Sequence, residues 1–160
     1  MLNAFRLVKT RYLSTAFSGD GAREFGGRWN NPGVPVVYLA SSRALAALEI
    51  IVHLEDGRLL ADSFSFIPVV IPESLVEYFD VRRLPVQWDA PAPTFASQSV
   101  GDEWTRSQRS AALAVPSAVI GKELNYLLNP NHPDFHRIVK DRVEPFSFDP
   151  RLRRQQGATR

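Results

Sequence analysis

Between Asn3 and Val8 the apolar positions Phe5 and Leu7 alternate with Arg6, which predicts a short strand or extended arm with Arg6 on the opposite face. Residues 11–25 are rich in serine, glycine and charge and show no sustained period, so a loop leading into a hairpin is expected there. Asn31-Pro32-Gly33-Val34 has proline second and glycine third, the chemistry of a type II turn, with strands expected over Arg28 to Asn30 and Pro35 to Ala40. The clearest helix is Arg43 to Glu55, capped by Ser41-Ser42 and ended by Asp56-Gly57. Phe64 to Ile71 is a β-branched and aromatic run with an edge or bulge expected at Pro68. Leu84 to Ser99, with Pro85, Pro91 and Pro93, reads as a loop, and Gly101 to Leu113 as a helix carrying Trp104. Strands are expected at Ser117 to Ile120, Phe135 to Val139 and Pro145 to Phe148, with a turn at Asn129 to Pro133. Alternation without regular βαβ spacing predicts a mixed α+β domain with a largely antiparallel sheet and flanking helices.

The chain of 160 residues is long enough for one domain with a real core, expected over residues 1–150. It has no cysteine, which removes disulfides, thiolate metal sites and cysteine nucleophiles. Neither a leader pattern nor an apolar run of about 20 residues is visible, so a cytoplasmic protein that spans no membrane is expected. The high pI points toward nucleic acid only until the charges are placed. Residues 1–150 hold 15 basic and 17 acidic side chains, a formal −2, and the tail 151–160 adds +4. A short basic tail is the usual composition of a solvated terminus.

Five of the nine glycines lie between Gly19 and Gly33, around Arg23, Arg28 and Trp29. Backbone freedom beside guanidinium forks suits an anionic, ring-bearing ligand, whereas a plain surface hairpin would need only the turns. The common phosphate loops do not fit. Gly21 and Gly26 have the Walker spacing, but Gly27-Arg28 stands where Lys-Ser or Lys-Thr is needed, and Glu24 occupies the third glycine position of a dinucleotide fingerprint. Metal templates fail as well: His132 and His136 are four apart but Pro133 breaks the helix that would align them, and His53 is isolated.

Glu49 sits among Leu45, Leu48, Ile50, Ile51 and Val52. It is either a carboxylate in apolar surroundings, which must be paired, protonated or held for a ligand, or a residue on the solvent stripe bridging to an arginine such as Arg43. Arg28 after two glycines can grip a phosphate, or be an ordinary hairpin arginine. Tyr38 is either a core tyrosine or a neighbour of Arg28, depending on register. A two-residue Pro32-Gly33 turn puts Arg28 opposite Val37, and one extra residue brings Arg28 to Tyr38.

Taken together, Gly27-Arg28-Trp29-Asn30, Pro35-Val36-Val37-Tyr38 and Ala44-Leu45-Ala46-Ala47-Leu48-Glu49 resemble the RES-domain family, the toxin half of bacterial RES-Xre toxin-antitoxin pairs. The resemblance runs from Phe5-Arg6-Leu7 and Ala16-Phe17-Ser18-Gly19 through Val115-Pro116-Ser117 and Leu128-Asn129-Pro130 to Asp149-Pro150-Arg151-Leu152. It implies an ADP-ribosyltransferase-like fold and a toxin that degrades NAD as substrate, with no cofactor or metal. It also implies a helix-turn-helix antitoxin of the Xre type as partner, self-association, and contact with DNA only through that antitoxin. Carried over by motif, the catalytic residues are Glu49, Arg28 and Tyr38, with Ser117 and Asn129 joining Arg28 and Tyr38 in binding NAD.

These residue types suit the chemistry. Breaking the nicotinamide–ribose bond passes through an oxocarbenium-like state and releases neutral nicotinamide, so one carboxylate can suffice. The expectations are that Glu49 stabilises the ribosyl cation, Arg28 clamps the pyrophosphate, Tyr38 packs on the nicotinamide ribose, and Ser117 and Asn129 fix the ring end. An NAD glycohydrolase is the simplest reading, with phosphorolysis or ADP-ribosylation of a protein as the alternative. A nucleic-acid-binding module built on the tail and the hairpin is the non-enzymatic one.

Overall fold

The computed structural model describes residues 1–54 and 60–152; the helix stop expected at Asp56-Gly57 and the tail from residue 153 lie outside the described residues. Eight strands form one curled sheet: β1 (Leu2–Lys9), β2 (Val37–Ala40), β3 (Phe64–Ile71), β4 (Val76–Tyr78), β5 (Ala112–Pro116), β6 (Leu124–Leu128), β7 (Val139–Lys140) and β8 (Glu144–Phe146). Their order is β4-β5-β6-β2-β1-β3-β7, with β8 also on β3, and among the described residues only the β4–β5 pair is parallel. The expected α+β class with a largely antiparallel sheet is what the chain forms.

Alternation along the strands divides the core between the two faces of the sheet. On β5, Ala112 and Ala114 join Val37, Leu39, Tyr126 and Leu128 in one cluster. Leu113 and Val115 turn the other way, to Trp29, Trp104 and Leu127. A third cluster, with Leu7, Phe64, Phe66 and Phe148, supports Leu45 and Ala46 of the second helix. That helix, α2 (Arg43–His53), is preceded by the short α1 (Asp20–Phe25) and followed by α3 (Phe95–Ser107). Ser42 caps α2 by accepting from the Leu45 amide at 3.1 Å, as expected.

Pro68 interrupts no strand. β3 pairs with β1 along its whole length, and on its other edge the ladder passes from β8 at residues 64–66 to β7 at residues 69–70, so Pro68 falls where a neighbouring strand changes. Elsewhere the sequence expectations are corrected. Residues 10–15 form a 3-10 turn and 20–25 form α1, where a loop was expected. α3 begins at Phe95 because Thr94 and Ser97 make a reciprocal capping box, six residues before the expected start. α3 ends at Ser107 and Ala112–Pro116 is strand, so the expected helix does not reach Leu113, and Phe135 to Arg137 belong to a 3-10 turn, Pro133–Arg137, rather than to a strand. Ser117 lies just beyond β5 instead of opening a strand, and β4 and β6 were not anticipated.

Candidate active site

The glycine-rich block folds as a knot rather than a hairpin. Residues 28–30 form no strand; the Gly27 amide donates to Asn30 O at 3.0 Å, and β2 pairs with β1 and β6 instead. The turn at Asn31–Val34 is present, with Gly33 at φ +101, a value suited to glycine. Asn30, fully buried, is the hub. Its Nδ2 donates to the carbonyls of Ala22 (2.9 Å), Val34 (3.0 Å) and Asn31 (3.2 Å), and its Oδ1 accepts the Tyr38 hydroxyl at 2.6 Å. The same hydroxyl accepts from the Trp29 amide at 3.2 Å. A Cβ on Gly27 would stand 2.7 Å from the Tyr38 oxygen, so the tyrosine packs against bare backbone. Burial pushes the Tyr38 phenol well above its ordinary pKa, keeping it neutral. Tyr38 thus reaches the Arg28 segment through Trp29 and Asn30, an arrangement neither hairpin register describes.

Arg28 is held by the proline-rich segment before α3. Its Nη1 donates to Trp88 O at 2.7 Å and its Nη2 to Pro91 O at 3.4 Å, while Trp88 stacks on Trp29 with ring centroids 5.7 Å apart. From α3, Ser97 Oγ donates to Arg28 O and Gln98 Nε2 to Gly27 O. The second arginine was missed as a site residue. β1 and β2 share one register pair, Phe5 with Ala40, and beside it Arg6 Nη1 donates to Tyr38 O at 2.9 Å while Nε donates to Ala16 O at 3.2 Å. Arg6 makes no ion pair among the described residues, and burial lowers its pKa to about 10. A desolvated guanidinium with spare donors favours an anion.

Glu49 is half-buried on α2. Its Oε1 accepts from Asn125 Nδ2 at 2.6 Å and from Ser117 Oγ at 2.9 Å, which leaves Oε2 out of this pair of bonds. Arg43 does not bridge to it; Arg43 pairs with Glu144 at 2.7 Å. Ser117 Oγ also accepts from the amides of Val119 and Ile120, so this buried serine braces the carboxylate. Asn125 was not anticipated because β6 was not; its Oδ1 is buried with no partner among the described residues.

Arg6, Arg28, Tyr38, Glu49 and Asn125 line one cleft of about 710 Å³, walled by α1, the glycine-rich block, β2 and α2. Asn129 does not reach it. It is fully buried beyond the far end of β6, donating to Thr105 O and accepting from the Asn131 amide. The cleft therefore combines cationic forks, an aromatic wall and a braced carboxylate, the set needed to hold an anion beside a developing cation.

Compared with known proteins, residues 3–149 match the RES domain. The chain belongs to the RES-domain family. It is 41% identical over 150 residues to a Toxin Res of Photorhabdus laumondii, covering 92% of this chain and 95% of the relative. It is 42% identical to the Prs ADP-ribosylating toxin of a Sphingobium species, over 90% and 91% of the two chains. Among solved structures, the crystal structure of the M. tuberculosis MbcT-MbcA toxin-antitoxin complex aligns with TM-score 0.72 over 99% of this chain and 90% of that one. Identity there is 19%, so the fold alone is shared. Among the described residues no helix is long and apolar enough to cross a membrane.

Proposed function

We propose that this RES-domain protein is the toxin of a toxin-antitoxin pair and breaks the nicotinamide–ribose bond of NAD, depleting it in the cytoplasm and arresting growth. The observation that carries this reading is the Glu49 carboxylate, fixed through Oε1 by Ser117 and Asn125 inside the cleft that also holds Arg6 and Arg28. A carboxylate pinned by two donors cannot swing away, so Oε2 is preorganised for ribose hydroxyls and for the charge that develops at the anomeric carbon. The C–N bond breaks with its electron pair going to nicotinamide, which leaves neutral; water supplies the new C–O bond and releases a proton. Both arginines spend two donors on backbone carbonyls, but Arg6 uses Nε and Nη1 and keeps Nη2 out of those bonds, whereas Arg28 engages both terminal nitrogens with the Trp88 and Pro91 carbonyls; Arg6 is therefore the better phosphate grip and Arg28 shapes the wall. Ser117 and Asn125 act through Glu49, and Asn129 has a structural role.

A second reading is favoured by the relative called an ADP-ribosylating toxin: the same ribosyl cation is passed to a protein, or to phosphate, in place of water. The partner in this reading is a helix-turn-helix antitoxin of the Xre type, in an assembly with more than one toxin copy. The likeness to a chain from a toxin-antitoxin complex supports the pairing. The test is mass spectrometry of purified protein with NAD, with and without phosphate and cell lysate, resolving ADP-ribose, a phosphorylated ribose product and modified protein. Absence of nicotinamide release under every condition refutes the NAD reading.

A further inference from the structure

Resting on the NAD reading above, we infer that His53 is the proton acceptor for the attacking group, at a position one helical turn beyond Glu49 on the cleft wall. His53 ends α2 and lines the same cleft as Glu49. Residues four apart on a helix share a face with Cβ atoms about 6 Å apart, close enough for both side chains to face one substrate in the cleft.

Elimination among the cleft's ionisable groups leads to the same residue. Arg6 and Arg28 are guanidinium donors without acceptor capacity. The Tyr38 hydroxyl already donates to Asn30 and accepts from Trp29. Asp20 pairs with Arg23 at 2.7 Å. Glu49 is braced by two donors and is needed as an anion beside the ribosyl cation. Among the described residues the neighbouring charges are committed elsewhere: Lys9 of β1 pairs with Asp62 at 2.9 Å, and Arg43, at the start of α2 itself, pairs with Glu144 of β8 at 2.7 Å. Histidine is the side-chain type that takes and returns a proton near neutral pH.

The step balances without a further reactant. As the C–N bond breaks and nicotinamide leaves with its electron pair, the water oxygen forms the C–O bond and its proton passes to the imidazole, which later releases it to solvent. A hydroxyl on a protein acceptor would be handled in the same way. Inorganic phosphate presents an oxygen that already carries charge, so its attack needs no proton acceptor. His53 therefore governs which acceptors are used.

The experiment gives wild-type protein and H53Q the substrate NAD in phosphate-free buffer and in buffer with inorganic phosphate. Nicotinamide, ADP-ribose and the phosphorylated ribose product are quantified by mass spectrometry over a pH series. H53Q is expected to lower the yield of ADP-ribose relative to the phosphate product by about a hundredfold, the usual weight of general-base assistance, and to remove an inflection from the pH profile of hydrolysis. His53 is exposed at a helix end, and thermal melting verifies folding, with H53N as a second variant. An unchanged product ratio, a parallel fall of both products, or wild-type protein that makes only the phosphate product overturns the inference while leaving NAD cleavage intact. No nicotinamide from the wild type overturns the NAD reading itself, and the role of His53 falls with it.

Discussion

Replacing Asn30 by alanine should unseat the Tyr38 wall of the cleft at a cost that can be worked from its bonds. Four contacts are lost, and they are not equivalent. Ala22 O keeps a bond from the Gly26 amide at 2.8 Å and Asn31 O keeps one from the Val34 amide at 3.3 Å, so these losses are worth about 0.5–1 kcal/mol each. The Tyr38 hydroxyl proton and Val34 O lose their Asn30 partner with no replacement in view, at about 1–3 kcal/mol each. A loss of about 4 kcal/mol is expected, a large part of the roughly 5–15 kcal/mol that stabilises an ordinary domain. Tyr38→Phe removes the bonds at 2.6 and 3.2 Å and should cost about 2 kcal/mol. The Tyr38–Asn30 bond is counted in both single variants, so the double variant should be about 1 kcal/mol less damaged than additivity predicts. Urea unfolding followed by tryptophan fluorescence measures all three, since Trp29 lies inside the network. A loss below about 1 kcal/mol for Asn30→Ala at unchanged m-value would refute the hub argument.

Glu49→Gln keeps both donors a partner but removes the negative charge, so nicotinamide release and growth arrest should fall by about a hundredfold or more, with melting shifted by only a few degrees; retained activity would sink the role given to Glu49. Ser117→Ala frees one side of the Glu49 carboxylate and orphans the Val119 and Ile120 amides, and kcat should drop by about tenfold with KM little changed. Gly101→Ala would drive a Cβ into the Trp29 carbonyl, backbone that cannot yield, and should cost about 3 kcal/mol or more by thermal or urea unfolding. ADP-ribose should raise the melting temperature, and Arg6→Gln should abolish the rise. The Arg6 pKa is lowered by burial to about 10, so the cation persists below that pH; ADP-ribose stabilisation should be constant from about pH 6 to 9 and weaken as pH rises through 10.

How much of this was legible in the sequence depended on whether a residue's partners were local. The α2 helix could be read because its cap at Ser42 and its apolar positions lie within a dozen residues, and β3 because one β-branched run carries it. The glycine-rich block was recognised as a site, yet its shape was misread, since a hairpin is the local solution to Pro32-Gly33 and the actual one depends on Asn30 reaching Tyr38 and on α3 pressing on Trp29. Arg6 was placed on its strand, but its importance comes from the gap between β1 and β2, which only the single register pair at Phe5 and Ala40 reveals. The two asparagines of the β6 region make the same point quantitatively. Asn125 pairs opposite Ala40, at the end of β2 that leads into α2, whereas Asn129 lies four residues on, beyond Val37's partner Leu128. At about 3.3 Å per strand residue, that spacing carries Asn129 some 13 Å along the chain from Asn125, the residue that holds Glu49. An asparagine in the right neighbourhood of the sequence was therefore at the wrong end of a strand, and only the antiparallel register of β2 and β6 decides which of the two can hold the carboxylate.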